Sequence, residues 1–307
     1  MSKIFVHAKT MIDGVSDAPK FDQLITCEDG KITAIEPYHT INEDVVEANV
    51  VTPGFFNCHV HIMEPVGFGT DKEFTFIEKT FYTQKHLEDY INSGVTFIRV
   101  VGTENDYDMD IRDCVDAGLV KGPHMLCAGR CICMTGGHGW QGGIEADGVD
   151  ECRKAARTLL KKGVDLIKVM ATGGVMTKGV EPGSAQLTQE EMAAIIEEAH
   201  KAGRKTATHA QGLQGIKNAL YAGIDSIEHG CFLDDECLER MKEQNTFLVP
   251  TLCAPQCIID KGIENGVAKY MVDKTLKVKD AHVKSVKKAY KQGIQIALGT
   301  DAGTPFN

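Results

Sequence analysis

Apolar positions recur at helical spacing along most of the chain, in segments that end in glycine and run straight into a short apolar stretch. The junctions read Asn92-Ser93-Gly94-Val95, Lys161-Lys162-Gly163-Val164, Lys201-Ala202-Gly203-Arg204, Tyr221-Ala222-Gly223-Ile224 and Lys291-Gln292-Gly293-Ile294. Glycine just past a helix takes the left-handed cap conformation, and lysine in the last turn suits the helix dipole. One unit shows the full pattern. Thr188 and Glu191 form a capping box, Met192, Ile195, Ile196 and Ala199 supply an apolar face, Gly203 stops the helix, and Thr206-Ala207-Thr208-His209 is the next strand. Repetition of this unit predicts strands ending near residues 61, 100, 130, 170, 209, 229, 250 and 300. Helices are predicted over about 73–93, 108–118, 149–162, 188–202, 212–222 and 234–244. The connection over about 253–293 is longer, contains helical material around Lys284-Ser285-Val286-Lys287, and is placed to carry a flap.

Five such junctions, with eight strand ends, favour a closed, distorted (β/α)8 TIM barrel over an open sheet. Residues 1–50 have a different character. They read as short strands over 3–8, 22–28 and 31–36, with Asp29-Gly30 as a hairpin turn, and form a small β module, part of a sandwich-like domain. The expected division is therefore 1–50 and 51–307. The sequence reaches Thr304-Pro305-Phe306-Asn307 directly after the eighth strand. On this reading the final barrel helix, and a late segment completing the β module, lie outside these 307 residues.

Composition narrows the class. Apolar residues make up 43% of the chain and prolines number only 9, which is globular usage. Acidic residues outnumber basic ones, 43 to 33, for a formal net charge of −10. That balance argues against a broad nucleic-acid footprint. No apolar run approaches the roughly 18 residues of a membrane span, and the first residues lack a signal-peptide core. The 11 cysteines are scattered, and Cys131 and Cys133 lack zinc-finger spacing. They read as buried thiols in a reducing compartment, and the cytoplasm is the expected location.

Chemistry-bearing residues collect at strand ends. His59 and His61 are one residue apart, so on an extended strand both imidazoles face one side. An HxH pair alone reads equally as two polar residues at a strand end. Lys168 in Leu166-Ile167-Lys168-Val169-Met170, His209, His229, and Asp301 in Gly299-Thr300-Asp301-Ala302-Gly303 fall at four further strand ends. A lysine inside an apolar strand is costly unless its nitrogen has a role. The C-terminal strand ends of a parallel barrel converge on one mouth, so these six residues together point to a metal site.

With these residues in place, the sequence resembles the amidohydrolase superfamily, binuclear metal hydrolases on a distorted (β/α)8 barrel. Pro53-Gly54-Phe55-Phe56-Asn57-Cys58-His59-Val60-His61 is similar to that superfamily's opening motif, with Asn57 where aspartate is common. The resemblance implies two divalent ions, zinc in the expected case. His59, His61 and Asp301 would hold one, His209 and His229 the other, and an N6-carboxylated Lys168 would bridge them. It further implies hydrolysis of an amide bond by a hydroxide shared between the ions, with Asp301 as general acid and base.

The glycine-rich stretch Arg130-Cys131-Ile132-Cys133-Met134-Thr135-Gly136-Gly137-His138-Gly139-Trp140 follows the third strand. Thr135-Gly136-Gly137-His138 resembles a branch containing Xaa-Pro dipeptidases and metallocarboxypeptidases. The resemblance implies that His138 contacts the scissile carbonyl or a substrate carboxylate. Arg130 is a second anion-binding candidate, while Trp140 and Phe232 are candidates for an apolar subsite. The expected substrate is a small amide, either a dipeptide or an N-acyl amino acid. A cyclic or other non-peptide amide is the alternative, and an inactive binding scaffold is a third. No nucleic-acid or membrane partner is expected, and homo-oligomerisation is left open.

Overall fold

The computed structural model describes residues 3–64 and 73–307. Internal contacts divide the chain into Met1–Phe55 and Phe56–Asn307.

The first unit is a four-stranded sheet of β1 (Lys3–Met11), β2 (Lys20–Glu28), β3 (Lys31–Pro37) and β4 (Val45–Val51), in the order β3-β2-β1-β4. β2 and β3 form an antiparallel hairpin. Its turn has φ of 48° at Asp29 and 77° at Gly30. Positive φ at both central residues matches the right-handed twist of the strands, so Asp-Gly is read correctly as a hairpin turn. β4 runs parallel to β1, with Phe5 opposite Val45. The sequence reading misses β4, although Val46-Glu47-Ala48-Asn49-Val50 alternates apolar and polar residues as a strand does. Ala8, Met11 and Ile25 form this unit's small core.

The second unit contains β5 (Phe55–Val60), β6 (Val95–Val100), β7 (His124–Cys127), β8 (Ile132–Cys133), β9 (Ile144–Glu145), β10 (Leu166–Met170), β11 (Lys205–Ala210), β12 (Ser226–His229) and β13 (Phe247–Val249). Its helices are α1 (Phe76–Asn92), α2 (Tyr107–Asp116), α3 (Gly148–Lys162), α4 (Gln189–Lys201), α5 (Leu213–Ala222), α6 (Asp235–Gln244), α7 (Cys253–Lys261) and α8 (Lys269–Lys291). β5, β6 and β7 make one sheet, and β13-β12-β11-β10-β8-β9 make another. Backbone bonds join them into a ring. Asp165 N donates to Cys127 O at 2.8 Å on one side. On the other, the segment 295–302 links β13 to β5. Ala297 N donates to Leu248 O at 3.0 Å, and Cys58 N donates to Leu298 O at 2.8 Å.

The eight predicted strand positions thus form a distorted barrel. The third differs from expectation because β7 stops at Cys127 and β8 resumes at Ile132 to pair with β10. The intervening backbone turns away: Gly129 takes φ of 65° and donates its N–H to Asp108 Oδ2 at 2.9 Å.

The helices close the outer layer. All five junction glycines have positive φ, as their left-handed caps require. Thr188 and Glu191 form the expected capping box. Ile195, Ile196, Ile216, Leu220 and Leu238 meet Ile167, Ile227 and Leu248 in the core. Each such buried side chain contributes roughly 1.5–3 kcal/mol of burial free energy. All five residues of β10 are buried, as expected for a strand covered on both faces. The long connection after β13 forms α7, a short 3-10 turn and the 23-residue α8. All 11 cysteines are free thiols. Among the described residues, no helix is long and apolar enough to cross a membrane.

Candidate metal centre

β5 carries His59, and His61 follows immediately. The eighth segment runs beside them: Asp301 N donates to His59 O at 2.8 Å, and His61 N donates to Ala302 O at 2.7 Å. Asn57 fixes this seam. Its Nδ2 donates to Thr300 Oγ1 at 2.7 Å, and its Oδ1 accepts from Thr300 N at 3.1 Å. Asp301 Oδ1 consequently lies 3.2 Å from His59 Nε2 and 3.3 Å from His61 Nε2.

Two functional candidates sit on strained backbone. Asp301 has φ of 62° and His229 has φ of 68°. A left-handed conformation at a non-glycine residue costs of order 1–3 kcal/mol and persists where surrounding structure imposes it. It turns each side chain inward at the end of its strand.

Donor atoms of His59, His229 and Asp301 all lie within 4.8 Å of one another. This close cluster draws one histidine from each of the two groups the sequence separated. His61 joins it through Asp301. His209 stands beside His229, ring centroids 4.5 Å apart, with its Nε2 3.4 Å from Gly173 O. Lys168 is 1% exposed and lines the same cavity, of about 500 Å³. Burial lowers the Lys168 pKa, against the pull of Glu228 and Asp301.

The partners of these groups fix their roles. His59 Nδ1–H donates to Glu228 Oε2 at 2.6 Å, and His61 Nδ1–H donates to Gly102 O at 2.8 Å. A carboxylate and a carbonyl only accept, so each Nδ1 carries the donated hydrogen and each Nε2 is left facing Asp301. His229 Nδ1 meets Thr251 Oγ1 at 2.7 Å, leaving its other nitrogen for the cluster. Burial, then the surrounding charges, holds His209 and His229 well below the ordinary imidazole range. Burial would raise the Asp301 carboxyl, but His59, His61 and His229 hold it well below the usual carboxylate range. Imidazole nitrogens and an ionised carboxylate facing one centre are the donor set of a borderline divalent cation, so these residues fit a metal.

Glu228 and Arg99 are absent from the site expected from sequence. Glu228 is fully buried, accepting from Arg99 Nη2 at 2.7 Å and Ser226 Oγ at 2.6 Å. Burial opposes its ionisation, yet Arg99 and His59 hold it well below the ordinary glutamate range. The signal was present: the anomaly that singled out Lys168, a charge inside an apolar strand, applies equally to Arg99 in Phe-Ile-Arg-Val and Glu228 in Ser-Ile-Glu-His.

His138 lines the cavity beside His209, ring centroids 4.3 Å apart. Its Nδ1 meets Thr177 Oγ1 at 2.9 Å, and its backbone N donates to Gln186 Oε1 at 2.9 Å. Burial, then Lys168, pushes its pKa down to about 4. The other proposed substrate contacts lie elsewhere. Arg130 does not line the cavity; its Nε is 3.3 Å from Asp106 Oδ1. Trp140 and Phe232 are 45% and 40% exposed and also lie outside the lining. Cys231, Gln211 and His282 line it instead. Residues adjacent along a loop point to different sides, so spacing alone could not separate Cys231 from Phe232.

Comparison with known proteins agrees with this geometry. Residues 50–307 match the model of the amidohydrolase family. An ochratoxinase of Aspergillus niger is 30% identical over 288 residues, 82% of this chain but only 58% of its own length. The chain thus spans less than two thirds of that relative. A crystal structure of a Xaa-Pro dipeptidase with methionine bound in its active site superposes with a TM-score of 0.92 at 31% identity, covering 99% of this chain and 80% of that one. The crystal structure of the A. niger ochratoxinase gives a TM-score of 0.87 at 27% identity, covering 99% and 77%. Over its barrel and the donor cluster within it, the chain belongs to the amidohydrolase family.

Proposed function

We propose that this protein is a metal-dependent hydrolase that cleaves the amide bond of a dipeptide or an N-acyl amino acid. The observation that carries the reading is the convergence of His59, His229 and Asp301 within 4.8 Å on the wall of a cavity that also holds His138. The similarity to a dipeptidase structure holding free methionine supports release of an amino acid. The cofactor would be a pair of divalent cations, zinc in the expected case, which His59, His61, His209, His229, Asp301 and an N6-carboxylated Lys168 would hold. Bound there, such cations acidify water and draw charge from a carbonyl oxygen.

The chain's own residues supply the rest. Asp301 accepts the proton of the attacking water at a carboxylate oxygen and returns it to the departing amide nitrogen. Glu228 holds His59 in the tautomer that presents Nε2 to the centre. His138, kept neutral, presents its ring to the substrate carbonyl or carboxylate.

The test is a library of dipeptides, N-acyl amino acids and cyclic amides, assayed with the metal-loaded protein. Turnover of the first two classes is expected. Turnover confined to cyclic, non-peptide amides, or none at all with the site fully loaded, would overturn the reading.

A further inference from the structure

α8 does more than cover the barrel mouth. Met271, Thr275, Val278 and His282 recur along one of its faces and line the cavity. The adjoining face grips the loop after β10. Lys274 Nζ donates to Thr177 O at 2.7 Å, to Gly174 O at 3.5 Å, and to Val180 O. An ammonium has three donors, and here three carbonyls receive them. Four residues earlier, Tyr270 Oη donates to Met176 O at 2.9 Å. Lys277 meets Glu181 at 3.3 Å one turn on. Val175 of the same loop packs against Ile258 and Met271. A helix near residue 274 thus holds four carbonyls of a loop nearly a hundred positions earlier, those of Gly174, Met176, Thr177 and Val180.

That loop faces the reaction. Thr177 Oγ1 accepts from Gly139 N at 3.2 Å while meeting His138 Nδ1 at 2.9 Å. Gly174 backs the same imidazole so closely that a Cβ there would lie 2.5 Å from His138 Nε2. Val175 and Met176 line the cavity, whereas Lys274 does not. Lys274 is only 8% exposed, and a buried cation is retained where its hydrogen bonds are satisfied.

We propose that Lys274 is a positioning residue. It fixes the loop 173–181 so that Thr177 orients His138, and so that Val175 and Met176 complete, with Met271 and Val278, an apolar subsite for an apolar side group of the substrate. The proposal rests on the amide-hydrolase reading for its kinetic consequence, but not for its structural one.

The experiment uses the metal-loaded protein and the variants Lys274→Met, Thr177→Val and their combination. Hydrogen exchange followed by mass spectrometry is expected to quicken about tenfold over 173–181 in Lys274→Met, with α4 unchanged and metal content retained. Against dipeptides with apolar side chains, kcat/KM falls roughly tenfold in each single variant. The double variant falls no further than Lys274→Met alone, because that change already releases the imidazole that Thr177 orients. Losses that multiply, or a Lys274→Met protein within twofold of wild type, would overturn the proposal. Should Lys274→Met fail to fold, Tyr270→Phe removes one hydroxyl of the same latch and is expected to act in the same direction; unchanged loop exchange there overturns it. If wild type cleaves no such amide, the functional reading fails, and the exchange measurement still decides whether the latch exists.

Discussion

Arg99 and Glu228 meet at 2.7 Å inside the barrel, and the other oxygen of Glu228 accepts from His59 Nδ1 at 2.6 Å. A cation at the end of β6 is thereby connected through an anion on β12 to the histidine on β5. The connection keeps His59 oriented and its Nδ1 protonated, while Arg99 Nε donates to Cys58 O at 2.6 Å and steadies the adjoining backbone.

Glu228→Gln should therefore weaken metal binding by about 10–100-fold, the usual cost of losing a partner behind a ligand. Competition against a chromophoric chelator measures it. Unchanged affinity would remove Glu228 from its assigned role. Arg99→Met leaves the buried Glu228 carboxylate without its cation and should cost roughly 3–5 kcal/mol in denaturant unfolding.

Lys168 and Cys131 both line the cavity, but only the first is assigned to the metal. Lys168→Ala should lose bound metal and activity together, whereas Cys131→Ala keeps both. Elemental analysis of the purified variants separates the cases. Chelator treatment of wild type should abolish activity, with recovery on adding zinc. A fully active protein loaded with one ion per chain would contradict a bridging lysine.

Gly174→Ala tests the seating of His138. The added Cβ would lie 2.5 Å from Nε2 and 2.6 Å from Cε1 of the ring, so the imidazole must move. A loss of about tenfold or more in kcat/KM is expected, with metal content preserved. Activity equal to wild type would show that His138 has no role in turnover.

Asp234 offers a pH test remote from the metal. It caps α6, accepting from Cys237 N at 2.9 Å, and pairs with Lys217 at 2.8 Å. Burial opposes ionisation, but Lys217 and the Cys237 N–H bring its pKa down to about 2. The folded state thus favours the ionised form. Its stabilisation is present above the unfolded value near 4 and lost as pH falls toward 2. Asp234→Ala should cost about 1 kcal/mol at neutral pH, as a lost cap does. The gap between variant and wild type should close between about pH 4 and pH 2 in thermal unfolding. A gap independent of pH would show that the charge contributes nothing.

Local pattern determined much of this protein. Helix spacing, caps and junction glycines placed α1 to α6 within a few residues, because helix boundaries are set by neighbours in sequence. The same pattern placed His59, His61, Lys168, His209, His229 and Asp301 at strand ends. It also carried the mark of β4, the Val46-Glu47-Ala48-Asn49-Val50 alternation that the expected strands omit, but not its parallel pairing with β1. It did not anticipate the break between β7 and β8, where Gly129 answers to Asp108 on a neighbouring helix.

Only the tertiary structure decided which polar groups touch. Arg99 and Glu228 are 129 residues apart, Lys274 and Thr177 are 97 apart, and their hydrogen bonds exist because the barrel brings distant strand ends and α8 to one mouth. The same closure turned Arg130 toward Asp106 and left Trp140 and Phe232 outside the cavity lining. Sequence thus singled out the candidate donors, three of which, His59, His229 and Asp301, the fold brings together. Their supports and the cavity walls are contacts between distant segments, and a contact acquires its identity only when the ring of strands is closed.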